Sequence, residues 1–129
     1  MLTFRQPPAS NNMEAKVFDA IVLSIKRKKL MRQFMCHQVK YQAQYLGRAM
    51  ASAENEDSYA HDRERLQEAI QEVCAKKDIE HEDMNLIEDE LNDYINVLVR
   101  AAFEDESKKL QKRELVNGRI KIKRVVGLE

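Results

Sequence analysis

Residues 20–53 read AIVLSIKRKKLMRQFMCHQVKYQAQYLGRAMASA and contain neither Asp nor Glu. Charged residues make up 34% of the chain, so the lack of carboxylates over this length is a strong local bias. The stretch contains no proline and one glycine, Gly47. Its apolar residues recur every three or four positions, which is the spacing of one face of a helix. We therefore predict one long helix from Met13 to about residue 53.

This predicted helix carries two apolar rows separated by cations. The first row is Phe18, Ile21, Val22 and Ile25, and the second is Met31, Met35, Val39, Leu46 and Met50. Residues 26–29 between them are four consecutive Lys or Arg residues, which fill a complete helical turn. A straight helix over the whole stretch would be about 60 Å long, longer than a compact domain of this size. We expect either a bend within residues 24–29 or an end that projects from the domain.

Charge is segregated along the chain although the net charge is zero. Residues 1–50 carry 9 Lys/Arg and 2 Asp/Glu, residues 51–107 carry 5 and 18, and residues 108–129 carry 8 and 2. Such segregation indicates either internal charge pairing or a polarised surface. The zero total argues against indiscriminate coating of nucleic acid.

The rest of the chain predicts two further helices, from Ser58 to about residue 77 and from Asp83 to residue 117. The last helix has the most regular apolar row, which is formed by Met84, Ile87, Leu91, Tyr94, Leu98 and Ala101. Short connections make successive helices antiparallel neighbours. The predicted fold is an all-α bundle of three principal helices, of which the first is long and bent or projecting.

Both ends of the chain are predicted to lie outside the bundle domain, residues 13–117. Residues 1–12 contain both prolines and form a predicted flexible tail. Residues 118–129 form a C-terminal extension with the alternation of a β-strand, in which Ile120, Ile122 and Val125 are the pairing candidates. A single strand needs a partner, which would be a second copy in a homodimer, a binding partner or the N-terminal tail.

The chain lacks the motifs of common enzymes. It contains no Gly-rich phosphate loop, no GxSxG and no HExxH, and it lacks the Glu-x-x-His pairs of a di-iron bundle. Cys36 and Cys74 have no CxxC spacing and are predicted to be reduced core thiols rather than a disulfide or metal ligands. We expect no enzyme activity, no cofactor and no metal.

A membrane location is also not expected from the sequence. The longest apolar run, residues 20–23, is far shorter than the ~20 residues that cross a bilayer, and residues 1–12 lack the pattern of a secretion signal. The sequence therefore predicts a cytoplasmic protein.

The candidate binding residues lie on the helix that lacks carboxylates. They are cations and hydrogen-bond donors, suited to phosphate or carboxylate oxygens: Lys26, Arg27, Lys28, Lys29, Arg32, His37, Lys40, Gln44 and Arg48. Tyr41 and Tyr45 lie close enough to offer stacking surfaces. The alternative is that this side is merely solvated or pairs internally with Glu88, Asp89 and Asp93.

These observations favour a non-catalytic accessory or regulatory protein that binds a macromolecule, most readily another protein. The alternative is a nucleic-acid-binding regulator that uses the basic side of the first helix. Neither charge nor spacing identifies the partner.

Overall fold

The computed structural model describes residues 8–116, with side chains for residues 12–113. The order of elements is α1 (Pro8–Phe34), α2 (His37–Ala51), a short 3-10 helix (Glu56–Tyr59), α3 (Ala60–Lys76) and α4 (His81–Val116). No strand occurs within residues 8–116, so the predicted all-α class is confirmed for that part of the chain. The candidate strand residues Ile120, Ile122 and Val125 lie outside the described residues.

The predicted first helix is divided into α1 and α2 by a break at Met35 and Cys36. Cys36 has extended backbone angles, φ −107° and ψ 166°, and precedes the first residue of α2. The bend expected within residues 24–29 is absent, because α1 continues through the four cations at positions 26–29. The helix is interrupted later, at Met35 and Cys36. The break turns the chain between Phe34 and Val39, which are both completely buried. Packing of these two side chains into one core explains why the chain turns here.

α1 and α2 run along α4 in the same direction, and α3 runs antiparallel to them. Two contacts early in α4 fix the alignment with α1: Lys26 Nζ lies 3.0 Å from Asp83 Oδ1, and Arg27 Nε donates to the Leu86 carbonyl at 3.3 Å. Further along, Gly47 of α2 meets α4 beside Ala102. α1 and α2 together therefore act as the first helix of a three-helix bundle.

The N-terminal half of α1 projects beyond the bundle. Lys26 is aligned with Asp83, near the start of α4, so the residues before it have no α4 alongside. All side chains of residues 12–25 are exposed. Since α1 begins at Pro8, residues 8–12 of the predicted tail are helical, and the projection from residue 8 to residue 25 is about 27 Å long. The expected projecting end is present.

The core lies between the C-terminal part of α1 and the other three helices. Phe34, Val39 and Ile87 are its largest completely buried side chains. Around them pack Leu30, Met31, Ala43, Leu46, Leu66, Ala69, Val73, Leu91 and Ile95. The apolar row predicted for the last helix thus faces this core through Ile87 and Leu91. Hydrophobic burial of this row holds α4 in the bundle.

Gly47 sits where the backbones of α2 and α4 come closest. A Cβ added at this position would overlap the Val99 carbonyl oxygen and lie 2.9 Å from the Ala102 Cβ and 3.1 Å from the Phe103 nitrogen. Two of these three atoms belong to backbone, which cannot rotate away. Glycine is therefore needed for the close approach of the two helices.

Cys74 and Tyr94 make the stability of the bundle sensitive to alkaline pH. Burial raises the pKa of the Cys74 thiol, and a backbone hydrogen bond partly offsets this effect. Burial also raises the pKa of the Tyr94 hydroxyl, and a negative charge on Cys36 adds to it. Both groups are neutral when protonated, so the folded state holds these protons more tightly than the unfolded state does.

We therefore expect the urea midpoint to be constant near neutral pH and to fall as pH rises above about 8.5, the thiol pKa of an unfolded chain. The two protonated groups contribute their full stabilising effect below that pH. The effect is lost as the pH rises through the raised pKa values of the folded state. Cys74→Ala should make the fall shallower. A midpoint that rises between about pH 8 and about pH 10 would contradict this assignment.

Candidate binding face of helix α2

α2 buries one side in the core and presents the opposite side to solvent. The buried side consists of Val39, Ala43, Leu46 and Gly47. The opposite side, which we call the aromatic-basic face, consists of His37, Lys40, Tyr41, Gln44, Tyr45 and Arg48. Helical periodicity puts these six side chains on one surface because they are three or four residues apart. α2 itself contains no Asp or Glu.

Three rings form a row along this face. The His37 and Tyr41 rings are stacked, with centroids 5.9 Å apart and an interplanar angle of 28°. The Tyr41 and Tyr45 rings are 6.1 Å apart and tilted by 45°. Each tyrosine is 45% exposed, so the outer sides of the rings are accessible. The row is a partly exposed aromatic surface whose tyrosine hydroxyl groups can form hydrogen bonds with a partner.

Lys40 and Arg48 supply positive charge beside the rings. Lys40 is exposed and Arg48 is half-buried. Among the described side chains, neither cation forms an ion pair. Gln44 lies between them on the same face and adds an amide. The face can therefore offer aromatic contact, hydrogen bonds and two cations to one partner.

The cations of α1 form a separate group, and two of them, Lys26 and Arg27, contact α4. Lys26 pairs with Asp83, and half-buried Arg27 donates to a carbonyl of α4. The Lys26 and Asp83 side chains are 51% and 24% exposed, so this pair contributes less than about 1 kcal/mol. These two residues are thus occupied in attaching α1 to α4.

The remaining candidate cations of α1 are Lys28, Lys29 and Arg32, and all three are exposed. Lys28 and Arg32 line an open groove of about 590 Å³ between α1 and α4, across from Glu90 and Asp93. The alternative prediction was that the cations of the first predicted helix pair internally with Glu88, Asp89 and Asp93. Among the described side chains none of these three carboxylates pairs with a cation of α1 or α2; Asp83 does instead.

The nine candidate residues therefore do not form one surface. His37, Lys40, Gln44 and Arg48 lie together on α2, and the break at Met35 and Cys36 separates them from Lys28, Lys29 and Arg32. The spacing of Tyr41 and Tyr45 had predicted that their two rings lie close together. The sequence did not reveal that the apolar row from Phe18 to Ile25 is solvent-exposed, because its periodicity is that of an ordinary core-facing helix.

In the part of the chain that the structure describes, no cluster of three or more His, Cys, Asp or Glu could hold a metal ion. Cys36 and Cys74 are free and half-buried. Among the described residues, no helix combines the length and the apolar character needed to cross a bilayer.

Comparison of the chain with protein-family models, with curated proteins and with solved structures finds no significant match. A function must therefore be inferred from the exposed surfaces themselves.

Proposed function

We propose that this chain is a non-catalytic accessory or regulatory protein of the cytoplasm that acts by binding another protein through the aromatic-basic face of α2. The observation that supports this most directly is the exposed row of His37, Tyr41 and Tyr45 beside two cations that form no ion pair with any described side chain. Tyr and Arg are among the residue types that most often dominate the energy of protein interfaces.

The charge of the face points to the chemistry of the partner. α2 offers Lys40 and Arg48 and no carboxylate, so a partner segment with Asp or Glu side chains would complement it. Tyrosine contributes large contact area with little loss of side-chain freedom on binding. An acidic segment with one or two apolar side chains is the partner that this surface fits best.

The second candidate is a nucleic acid. Exposed stacked rings next to cations are also the means by which proteins hold single strands, through base stacking and phosphate contacts. The stacked geometry of His37 and Tyr41 favours this candidate. The zero net charge of the chain and the presence of only two cations on the face make it the weaker of the two.

Affinity capture from the native host tests the proposed function. We expect the wild-type chain to retain a protein that Tyr41→Ala/Tyr45→Ala loses, because each ring removed costs contact energy at the centre of the face. A matched control is Glu88→Gln/Asp89→Asn, which changes exposed residues of α4 and should retain the same protein. Equal capture by all three chains would contradict a role for this face.

Fluorescence anisotropy with single-stranded RNA and DNA oligonucleotides distinguishes the second candidate. The proposed function predicts no binding at moderate salt. Binding that weakens as salt rises, and that falls at least about tenfold in Tyr41→Ala/Tyr45→Ala, would establish the nucleic-acid alternative instead.

A further inference from the structure

The projecting half of α1 carries an apolar stripe that no part of the described chain covers. Phe18 is 65% exposed, Ile21 52% and Ile25 55%, and Val17 and Val22 flank them with similar exposure. Large apolar side chains that lie exposed and adjacent to one another usually mark an interaction surface.

The stripe points away from the bundle core. Ile21 and Leu30 are nine residues apart, and so are Ile25 and Phe34. At 3.6 residues per turn, nine residues correspond to a rotation of about 180°. Leu30 and Phe34 are buried in the core, so Ile21 and Ile25 lie on the opposite side of the helix. The stripe is therefore left without a partner among the residues that the structure describes.

The spacing of the stripe is that of a coiled coil. Alternating steps of four and three residues connect Glu14, Phe18, Ile21, Ile25, Lys28, Arg32 and Met35, which is the a/d repeat of two helices packed side by side. Charged residues of opposite sign flank the apolar centre of this repeat: Glu14 precedes Phe18, and Lys28 and Arg32 follow Ile25.

We propose that a second copy of this chain covers the stripe, so that two α1 helices pack antiparallel about a two-fold axis near Leu23. In an antiparallel pair, an a position of one helix faces a d position of the other. This alignment puts Glu14 opposite Arg32 of the partner subunit and Ile21 opposite Ile25 of the partner subunit. Phe18 then lies against Lys28 of the partner subunit, an attractive contact between a ring and a cation.

The charges select this arrangement over the alternatives. A parallel pair in register would put Glu14 beside its own copy, and likewise Lys28 and Arg32, which is unfavourable in every charged layer. A lipid surface would have to accept Glu14 on the apolar side of the helix, where a carboxylate is costly to bury. Within the α1 repeat, only the antiparallel pair matches every charged layer with the opposite charge or with a ring.

The groove between α1 and α4 extends the same surface. Met35 at the end of the repeat is 51% exposed, and Val97 across the groove is 66% exposed. In the proposed pair, the first turns of the partner helix lie beside Lys28 and Arg32 and so reach this groove. The groove thereby lengthens the apolar contact beyond the two central isoleucine layers.

Sedimentation velocity of the full chain over a concentration series tests the proposal. We expect a monomer–dimer equilibrium, with a dissociation constant raised by about a hundredfold or more in Ile21→Asn/Ile25→Asn, since the pair buries four isoleucines. The thermal midpoint of the monomer should not fall, because both residues are exposed in it. Tyr41→Ala/Tyr45→Ala is the matched control: it removes the α2 face and should leave dimerisation unchanged.

Charge exchange tests the direction of the helices. Glu14→Lys should weaken the dimer about tenfold by replacing two attractive pairs with repulsive ones, and Glu14→Lys/Arg32→Glu should restore it. No recovery in the double variant would overturn the antiparallel arrangement. A chain that stays monomeric, or a dimer that Ile21→Asn/Ile25→Asn leaves intact, would overturn the proposal while leaving the function proposed for α2 untouched.

Discussion

Gly47→Ala should lower the free energy of unfolding by at least about 2 kcal/mol. The added Cβ would overlap the Val99 carbonyl and press on Ala102, so α2 and α4 would have to separate along their contact. That contact also buries Val39 and Leu46, and separation would expose part of this surface. Urea denaturation monitored by circular dichroism measures the change.

The sign of this effect is diagnostic because helix propensity acts in the opposite direction. Alanine is favoured over glycine in a helix interior by about 1 kcal/mol. A Gly47→Ala variant that gains this amount would show that the two helices are farther apart than described. Lys40→Ala, on the solvent side of the same helix, is the control and should change stability by less than about 0.5 kcal/mol.

Phe34→Ala should destabilise the bundle by about 3–5 kcal/mol. Phe34 is completely buried at the end of α1 and is the largest such side chain in the core. Its removal leaves a cavity in the core beside the break between α1 and α2. Domains of this size have about 5–15 kcal/mol of stability in total, so the variant should be close to unfolding at physiological temperature.

Phe18→Ala is the matched control for this prediction, because it makes the same change in the same helix at an exposed position. It should alter the stability of the monomer by less than about 0.5 kcal/mol when measured at a concentration too low for self-association. Equal losses in the two variants would contradict the burial of Phe34 and the exposure of Phe18. The comparison therefore tests where the bundle ends and the projection of α1 begins.

The two proposed surfaces are independent of each other. The stripe lies on α1 before the bundle, and the aromatic-basic face lies on α2 beyond the break at Cys36. A dimer through α1 would carry two copies of the α2 face, which raises the effective affinity for any partner that presents two binding segments. Self-association and partner binding would then act together without sharing a residue.

Periodicity alone predicted much of the fold. The rows Ile87 to Leu98 and Val39 to Met50 indicated helices with one buried side, and the structure packs these sides against each other. Length predicted either a bend within residues 24–29 or a projecting end, since a helix over residues 13–53 is longer than the domain, and the structure has the projecting end. The composition of the aromatic-basic face was also predictable from the sequence, because its Lys, Arg and Tyr residues recur at helical spacing on the side opposite the apolar row of α2.

Periodicity could not predict the location of the break at Met35 and Cys36 or the exposure of the stripe on α1. No proline or glycine marks Met35 and Cys36; the turn there reflects how Phe34 and Val39 share one core. The row from Phe18 to Ile25 has the same local pattern as a buried one, and its exposure depends on where α4 begins beside it.

The helical class, the separation of charge and the sides of the helices follow from the sequence alone, because these depend on neighbours along one helix. Which of those sides find a partner within the chain is a property of the tertiary structure. That outcome depends on the alignment of α1 with α4, in which Lys26 lies beside Asp83, and on the close approach at Gly47. Such contacts join residues more than fifty positions apart, and no local pattern encodes them.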